Sequence, residues 1–68
     1  MQPAEIAKIQ AYMRQAFGSE RLNVRAPDKK GGPVEVNLGD EFIGVLHRDD
    51  DEGEISYAFH MTILAEDL

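Results

Sequence analysis

Val34-Glu35-Val36-Asn37-Leu38-Gly39-Asp40-Glu41-Phe42-Ile43-Gly44-Val45-Leu46 is the stretch that decides the fold. Val34, Val36 and Leu38 alternate with Glu35 and Asn37, the period of two that makes one side of a strand apolar and the other polar. Gly39-Asp40 then suits a two-residue type II′ turn, whose first central position needs a positive φ that glycine adopts without steric cost. The stretch predicts a hairpin with strands over 34–38 and 41–48.

The same periods extend the reading in both directions. Downstream, Asp49-Asp50-Asp51-Glu52-Gly53 forms a charged loop, and the run from Glu54 to Leu64, rich in aromatic and β-branched residues, predicts a strand over 54–64. Upstream, Pro27-Asp28-Lys29-Lys30-Gly31-Gly32-Pro33 is a break. Before it Leu22, Val24 and Ala26 alternate with Arg21, Asn23 and Arg25, predicting a strand over 20–26. Earlier still the period lengthens. Ile6, Ile9, Met13, Ala16 and Phe17 recur at spacings of three and four, predicting an amphipathic helix over 3–17. Pro3 suits its first turn, Glu5 the positive end of its dipole, and Gly18 a left-handed stop.

Antiparallel pairing requires residues opposite one another to share a face. A turn at Gly39-Asp40 sets Leu38 opposite Glu41, Val36 opposite Ile43 and Val34 opposite Val45. A five-residue loop over 49–53 sets Arg48 opposite Glu54, His47 opposite Ile55, Val45 opposite Tyr57 and Ile43 opposite Phe59. One face then gathers Leu22, Val24, Val34, Val36, Leu38, Ile43, Val45, Ile55, Tyr57, Phe59 and Met61 for the helix to cover. The other carries Glu35, Asn37, Arg48 and Ser56 together with Phe42, Gly44, Leu46, Ala58, Thr62 and Leu64. The expected fold is α+β, one N-terminal helix packed on a four-stranded antiparallel meander of order 1-2-3-4, all within a single domain over 1–68.

Composition narrows the functional classes. With 68 residues the chain has little room for a deep substrate cleft, which disfavours a self-contained enzyme. The absence of cysteine excludes disulfides, thiolate metal sites and thiol nucleophiles. No apolar run is long enough to span a bilayer, and the opening Met1-Gln2-Pro3-Ala4-Glu5 lacks the basic and apolar regions of a signal peptide, so the expected address is cytoplasmic, away from membranes.

The net charge of −6 is unevenly divided: residues 1–32 hold six basic and three acidic side chains, residues 33–68 one basic and ten acidic. A bipolar surface of this kind steers an oriented partner, although solvated faces that keep a small domain soluble explain it more simply. Arg21, Arg25, Lys29 and Lys30 are the only basic cluster and define an alternative, a weak nucleic-acid binder. The acidic remainder opposes it, and no aromatic residue interleaves to stack a base. Lys29-Lys30-Gly31-Gly32 lacks the spacing and following helix of a phosphate loop and reads as a hairpin connection. Counted from Asp49 as a calcium loop, the acidic run puts Gly at position five and His60 at position twelve, where an EF-hand needs Gly at six and Glu at twelve. A solvated loop fits better.

The two histidines, His47 and His60, fall on opposite faces in this register, so no metal site within one chain is expected, and no cofactor site. His47 reads as a hydrogen-bonded structural residue; His60, opposite Phe42, becomes pH-sensitive if two copies meet there. No nucleophile, base and orienting acid assemble, since neither Ser19 nor Ser56 has an evident histidine partner.

The residues Pro3-Ala4-Glu5-Ile6 opening a helix, the run Gly39-Asp40-Glu41-Phe42-Ile43-Gly44-Val45-Leu46, then Arg48-Asp49-Asp50, Asp51-Glu52-Gly53-Glu54 and Ser56-Tyr57 resemble the short uncharacterised bacterial proteins grouped as domain-of-unknown-function family 3126. The resemblance spans essentially the whole chain, and the Gly39–Leu46 run is its most specific part. It implies a stand-alone small bacterial protein and carries no activity to any residue.

The functional expectation is therefore a non-catalytic module that self-associates as a homodimer or docks another protein. One route is the second sheet face, through Phe42, Leu46, Ala58, His60, Thr62 and Leu64, with Phe42 as anchor. The other is the edge of the last strand, Ile55 to Leu64, a template for a neighbour's strand. A ligand site formed only at an oligomer interface is the remaining alternative. The terminal Ala65-Glu66-Asp67-Leu68 has no pattern that predicts order.

Overall fold

The computed structural model describes residues 1–68. Helix α1, Pro3–Phe17, precedes strands β1 (Leu22–Arg25), β2 (Val34–Leu38), β3 (Glu41–Asp49) and β4 (Ser56–His60), with short 3-10 turns at Asp51–Gly53 and Ala65–Asp67. The strands form one antiparallel sheet of order β1-β2-β3-β4, the α+β meander expected.

Local chemistry sets the ends of α1. The Gln2 N–H donates to Glu5 Oε1 at 3.2 Å and its carbonyl accepts from Ile6 at 3.0 Å, while Pro3 occupies the first turn, where a missing N–H leaves no bond unmade. At the other end Gly18 is left-handed (φ 65°), and the Ser19 N–H reaches the Arg14 carbonyl at 3.0 Å in a Schellman-type stop. In the β2–β3 turn Gly39 has φ 63° and Asp40 stays at negative φ, as the type II′ reading requires.

The helix lies toward β1. Arg14 Nε donates to the Leu22 carbonyl at 2.8 Å and the Arg14 guanidinium to Asn23 Oδ1 at 3.0 Å, while Gln10 Oε1 accepts the Val24 N–H at 3.0 Å. Ile6 and Met13 meet Leu22, Val24, Val34, Val36 and Leu46 in the core, with Ile9, Ile43 and Phe59 packed around it. No residue of β4 is fully buried.

Strand bounds and register depart from the expectation at three places. The first and last strands are shorter than 20–26 and 54–64, so Ile55 and Met61 stand outside β4 and are more than half exposed. Within the central hairpin Leu38 does face Glu41 and Asn37 faces Phe42, but Val36 then faces Gly44 and Val34 faces Leu46. Ile43 is the extra residue of a β-bulge. One inserted residue exchanges the two sides of everything beyond it, because side chains alternate with a period of two. Leu46 thus turns into the core at 4% exposure and Arg48 follows to the helix side, whereas Val45 and His47 turn away.

The β3–β4 connection is also three residues off the expected pairing, an odd shift that again exchanges sides. Arg48 faces Tyr57 and Leu46 faces Phe59, in place of Val45 with Tyr57 and Ile43 with Phe59. The two offsets cancel for β4, so Tyr57 and Phe59 lie on the helix side as expected. Gly44 makes this closure possible: a Cβ there would collide with the Phe59 ring and the His60 carbonyl, so the ring lies across bare backbone.

Candidate interaction surface

A helix is about 10 Å across and strands lie about 4.8 Å apart, so α1, whose close backbone approach is to β1, leaves the β3–β4 half of its own sheet face uncovered. The result is a groove of about 450 Å³. Ile9, Tyr12 and Met13 of α1 form one wall, Leu46 the floor, and Tyr57 and Phe59 the other wall. Struts from helix to sheet cross it at both ends. Near the helix start the Tyr57 hydroxyl donates to Glu5 Oε2, and Arg48 Nε stands 3.3 Å from the same oxygen. Near the helix end the Phe17 and Phe59 rings lie 6.2 Å apart at 52°. Lys8 lines the groove and joins neither of the chain's two ion pairs.

The first strut fixes two protonation states. The Tyr57 hydroxyl, aided by the Gln2 N–H and the Arg48 guanidinium, holds the Glu5 carboxyl below its ordinary 4.5 against the opposing effect of desolvation. Accepting that hydrogen bond, the Glu5 carboxylate raises the Tyr57 hydroxyl above its ordinary 10.0, and desolvation adds to it. The carboxylate and the neutral phenol support each other.

Beyond the groove lies the free edge of β4, and past it the segment Met61–Leu68. Met61, Ile63, Leu64 and Leu68 are all more than half exposed, Leu68 at 93%. The terminal residues are ordered by a 3-10 turn over Ala65–Asp67, in which the Leu68 N–H reaches the Ala65 carbonyl at 3.2 Å.

The six residues expected to share the second sheet face do not all meet there. Phe42, paired with Asn37, and Ala58 and His60, paired with His47 and Val45, are on that face, and Phe42 is 56% exposed. Leu46 is on the opposite side, in the core, for the reason given by the bulge. Thr62 and Leu64 lie beyond β4 in the exposed terminal segment, beside Glu41 and Phe42. With Asn23, Arg25, Glu35, Asn37 and His47 alongside, this face is more polar than the alternation suggested, and the larger apolar opening is on the helix side. Helix width set against sheet width is the signal in the sequence that locates the groove.

The bulge and the shifted β3–β4 pairing together bring the histidines side by side. His47 and His60 lie on the same face of adjacent strands, with ring centroids 5.2 Å apart at 72°, rather than on opposite faces.

The basic residues are spread out. The Arg21 guanidinium lies against Gly39, while Arg25, four residues along, pairs across the sheet with Glu35 and sits 3.9 Å from Asp28. Lys29 and Lys30 are in the exposed turn that follows. In the acidic loop the Asp49 carboxylate accepts the Asp51 N–H at 3.0 Å, and no three His, Asp or Glu side chains converge to hold an ion.

Comparison with known proteins gives one match: the model of the family described as "Protein of unknown function (DUF3126)" covers residues 5–67, nearly the whole chain. The chain belongs to that family, as the resemblance of the Gly39–Leu46 run implied. No curated protein and no solved structure matches.

Proposed function

We propose that this chain is a non-catalytic module that pairs with a second copy of itself through the β4 side of the molecule. The observation that carries the reading is surface area. The chain exposes 5522 Å², whereas a compact monomer of its mass exposes about 4,300 Å². The excess is larger than the roughly 800 Å² that one partner gives up in a standard interface. Its shape agrees, with a radius of gyration of 12.6 Å against about 11 Å for a compact chain of this length.

The uncovered area is apolar where a partner would sit. The groove is lined mainly by apolar side chains, the β4 edge is unpaired, and Met61, Ile63, Leu64 and Leu68 add exposed apolar surface; burying apolar surface contributes about 25 cal/mol per Å² before the costs of association. A two-fold pairing uses the same patch on both copies. In it the apolar, acidic terminal segment of one copy meets the groove of the other, where Lys8 lines the wall. The interface therefore centres on the β4 edge, the groove and residues 61–68, with Phe42, Ala58 and His60 behind it. The nucleic-acid alternative has less support, because Asp28 and Glu35 flank Arg25.

Light scattering on a sizing column over a tenfold concentration range tests the reading. The expected mass is twice the 7.6 kDa of one chain. An Ile63→Glu/Leu64→Glu variant, altered only at exposed positions, should elute as a folded monomer. A single-chain mass for the unaltered protein at every concentration, or a variant that keeps the double mass, would overturn it.

A further inference from the structure

The histidine pair lies on the sheet face away from the helix, in no hydrogen bond or ion pair of the molecule, and the fold makes no evident use of it. We propose that His47 and His60 form a two-imidazole chelate for a divalent transition metal of the Zn²⁺, Ni²⁺, Cu²⁺ class. It goes beyond the self-association reading, because both imidazoles come from one copy.

Three observations converge. The sheet itself provides the placement: His47 pairs with Ala58 and His60 with Val45, so the two side chains stand diagonally across adjacent strands on one face. Pairing within adjacent strands places both ligands side by side before the ion arrives, which lowers the ordering cost of binding. The spacing fits a shared ion. With metal–nitrogen bonds of about 2.0–2.1 Å, each ring centre lies roughly 3 Å from the metal, and a tetrahedral angle separates the two centres by about 5 Å. The rings are 5.2 Å apart and steeply inclined at 72°. The surroundings leave room, since both histidines are exposed and Ala58, directly opposite His47, is small.

Imidazole donors select the metal class. Borderline first-row ions accept neutral imidazole, with Cu²⁺ above Ni²⁺ and Zn²⁺ in affinity, whereas Ca²⁺ and Mg²⁺ require oxygen ligands. No third His, Asp or Glu in the chain completes a metal-holding group, so the ion keeps open positions for water or an external donor.

The test is a titration of the full chain with ZnCl₂ at pH 7.5, following imidazole proton resonances by NMR and affinity by calorimetry. Both histidines should shift together and saturate at one ion per pair, and His47→Ala or His60→Ala should each weaken binding at least tenfold. Both positions are exposed, and thermal melts check that the variants stay folded. A matched CaCl₂ titration should leave the imidazoles unmoved. The proposal fails if only one imidazole responds, if either variant binds as tightly as the parent, or if the shifts map to Asp49–Glu54.

Discussion

The two edges of this sheet are built differently. At β1 the outward backbone is occupied by the helix: Arg14 takes the Leu22 carbonyl, Gln10 takes the Val24 N–H, and Leu22 and Val24 are 0% and 7% exposed. At β4 no side chain reaches the edge from outside, and no residue is fully buried, Tyr57 and Phe59 being covered only in part. One helix on a four-stranded sheet can finish one edge. Placing it at β1 concentrates the protein's own stability there and leaves the β4 edge unpaired.

Core truncation should give the largest difference between the flanks. Leu22→Ala is expected to lose about 2–5 kcal/mol, a large part of the roughly 3–10 kcal/mol available to a domain of this length. Ile63→Ala, in urea titrations dilute enough to keep the chain monomeric, should change stability by less than about 0.5 kcal/mol. Similar losses at the two positions would break the contrast.

Gly44→Ala comes next. The added methyl meets the Phe59 ring and the His60 carbonyl, so β4 must move away from β3, at a cost of about 1–3 kcal/mol. Amide exchange should accelerate through Ser56–His60 while Leu22–Arg25 keeps its protection. Uniform acceleration would mean that the β4 flank is as firmly tied as the β1 flank.

The strut across the groove sets the smallest effect and gives it a pH signature. Glu5 is depressed in the folded chain, so its contribution is complete above its unfolded value of about 4.5 and disappears as pH falls through the depressed value. Tyr57 is raised, so its contribution is complete below 10.0 and disappears as pH rises through the raised value. Tyr57→Phe should lower Tm by about 2–5 °C between those limits, and the gap should close at both extremes. A gap independent of pH would remove the strut from the mechanism that holds the groove open.

Most of the fold was legible in the sequence because the periods were clean. Ile6, Ile9, Met13 and Phe17 leave no alternative to a helix, and Gly39-Asp40 fixes both the turn and the first pair of the hairpin. The sides of β3 were not legible from alternation, because both phases of the strand are apolar: Ile43 and Val45 on one, Phe42 and Leu46 on the other. Gly44 was the available signal, since a glycine inside a strand marks a bulge or a close approach, and here it accompanies both. That one step moved Leu46 from the expected interface into the core and, together with the shifted β3–β4 pairing, brought His47 beside His60. The groove was hidden for a different reason. Periodicity assigns a face to each side chain, but it does not say how far a covering helix reaches across that face.

The Ile43 bulge also constrains how this sequence can vary over time. Losing that one residue would exchange the sides of the rest of β3, exposing Leu46, burying Val45 and separating Arg48 from Glu5. A single-residue deletion there is thus equivalent to several simultaneous core substitutions. Length changes should accumulate in the exposed connections at Pro27–Pro33 and Asp50–Ile55, while the stretch from Glu41 to Asp49 keeps its count of nine even where its letters drift.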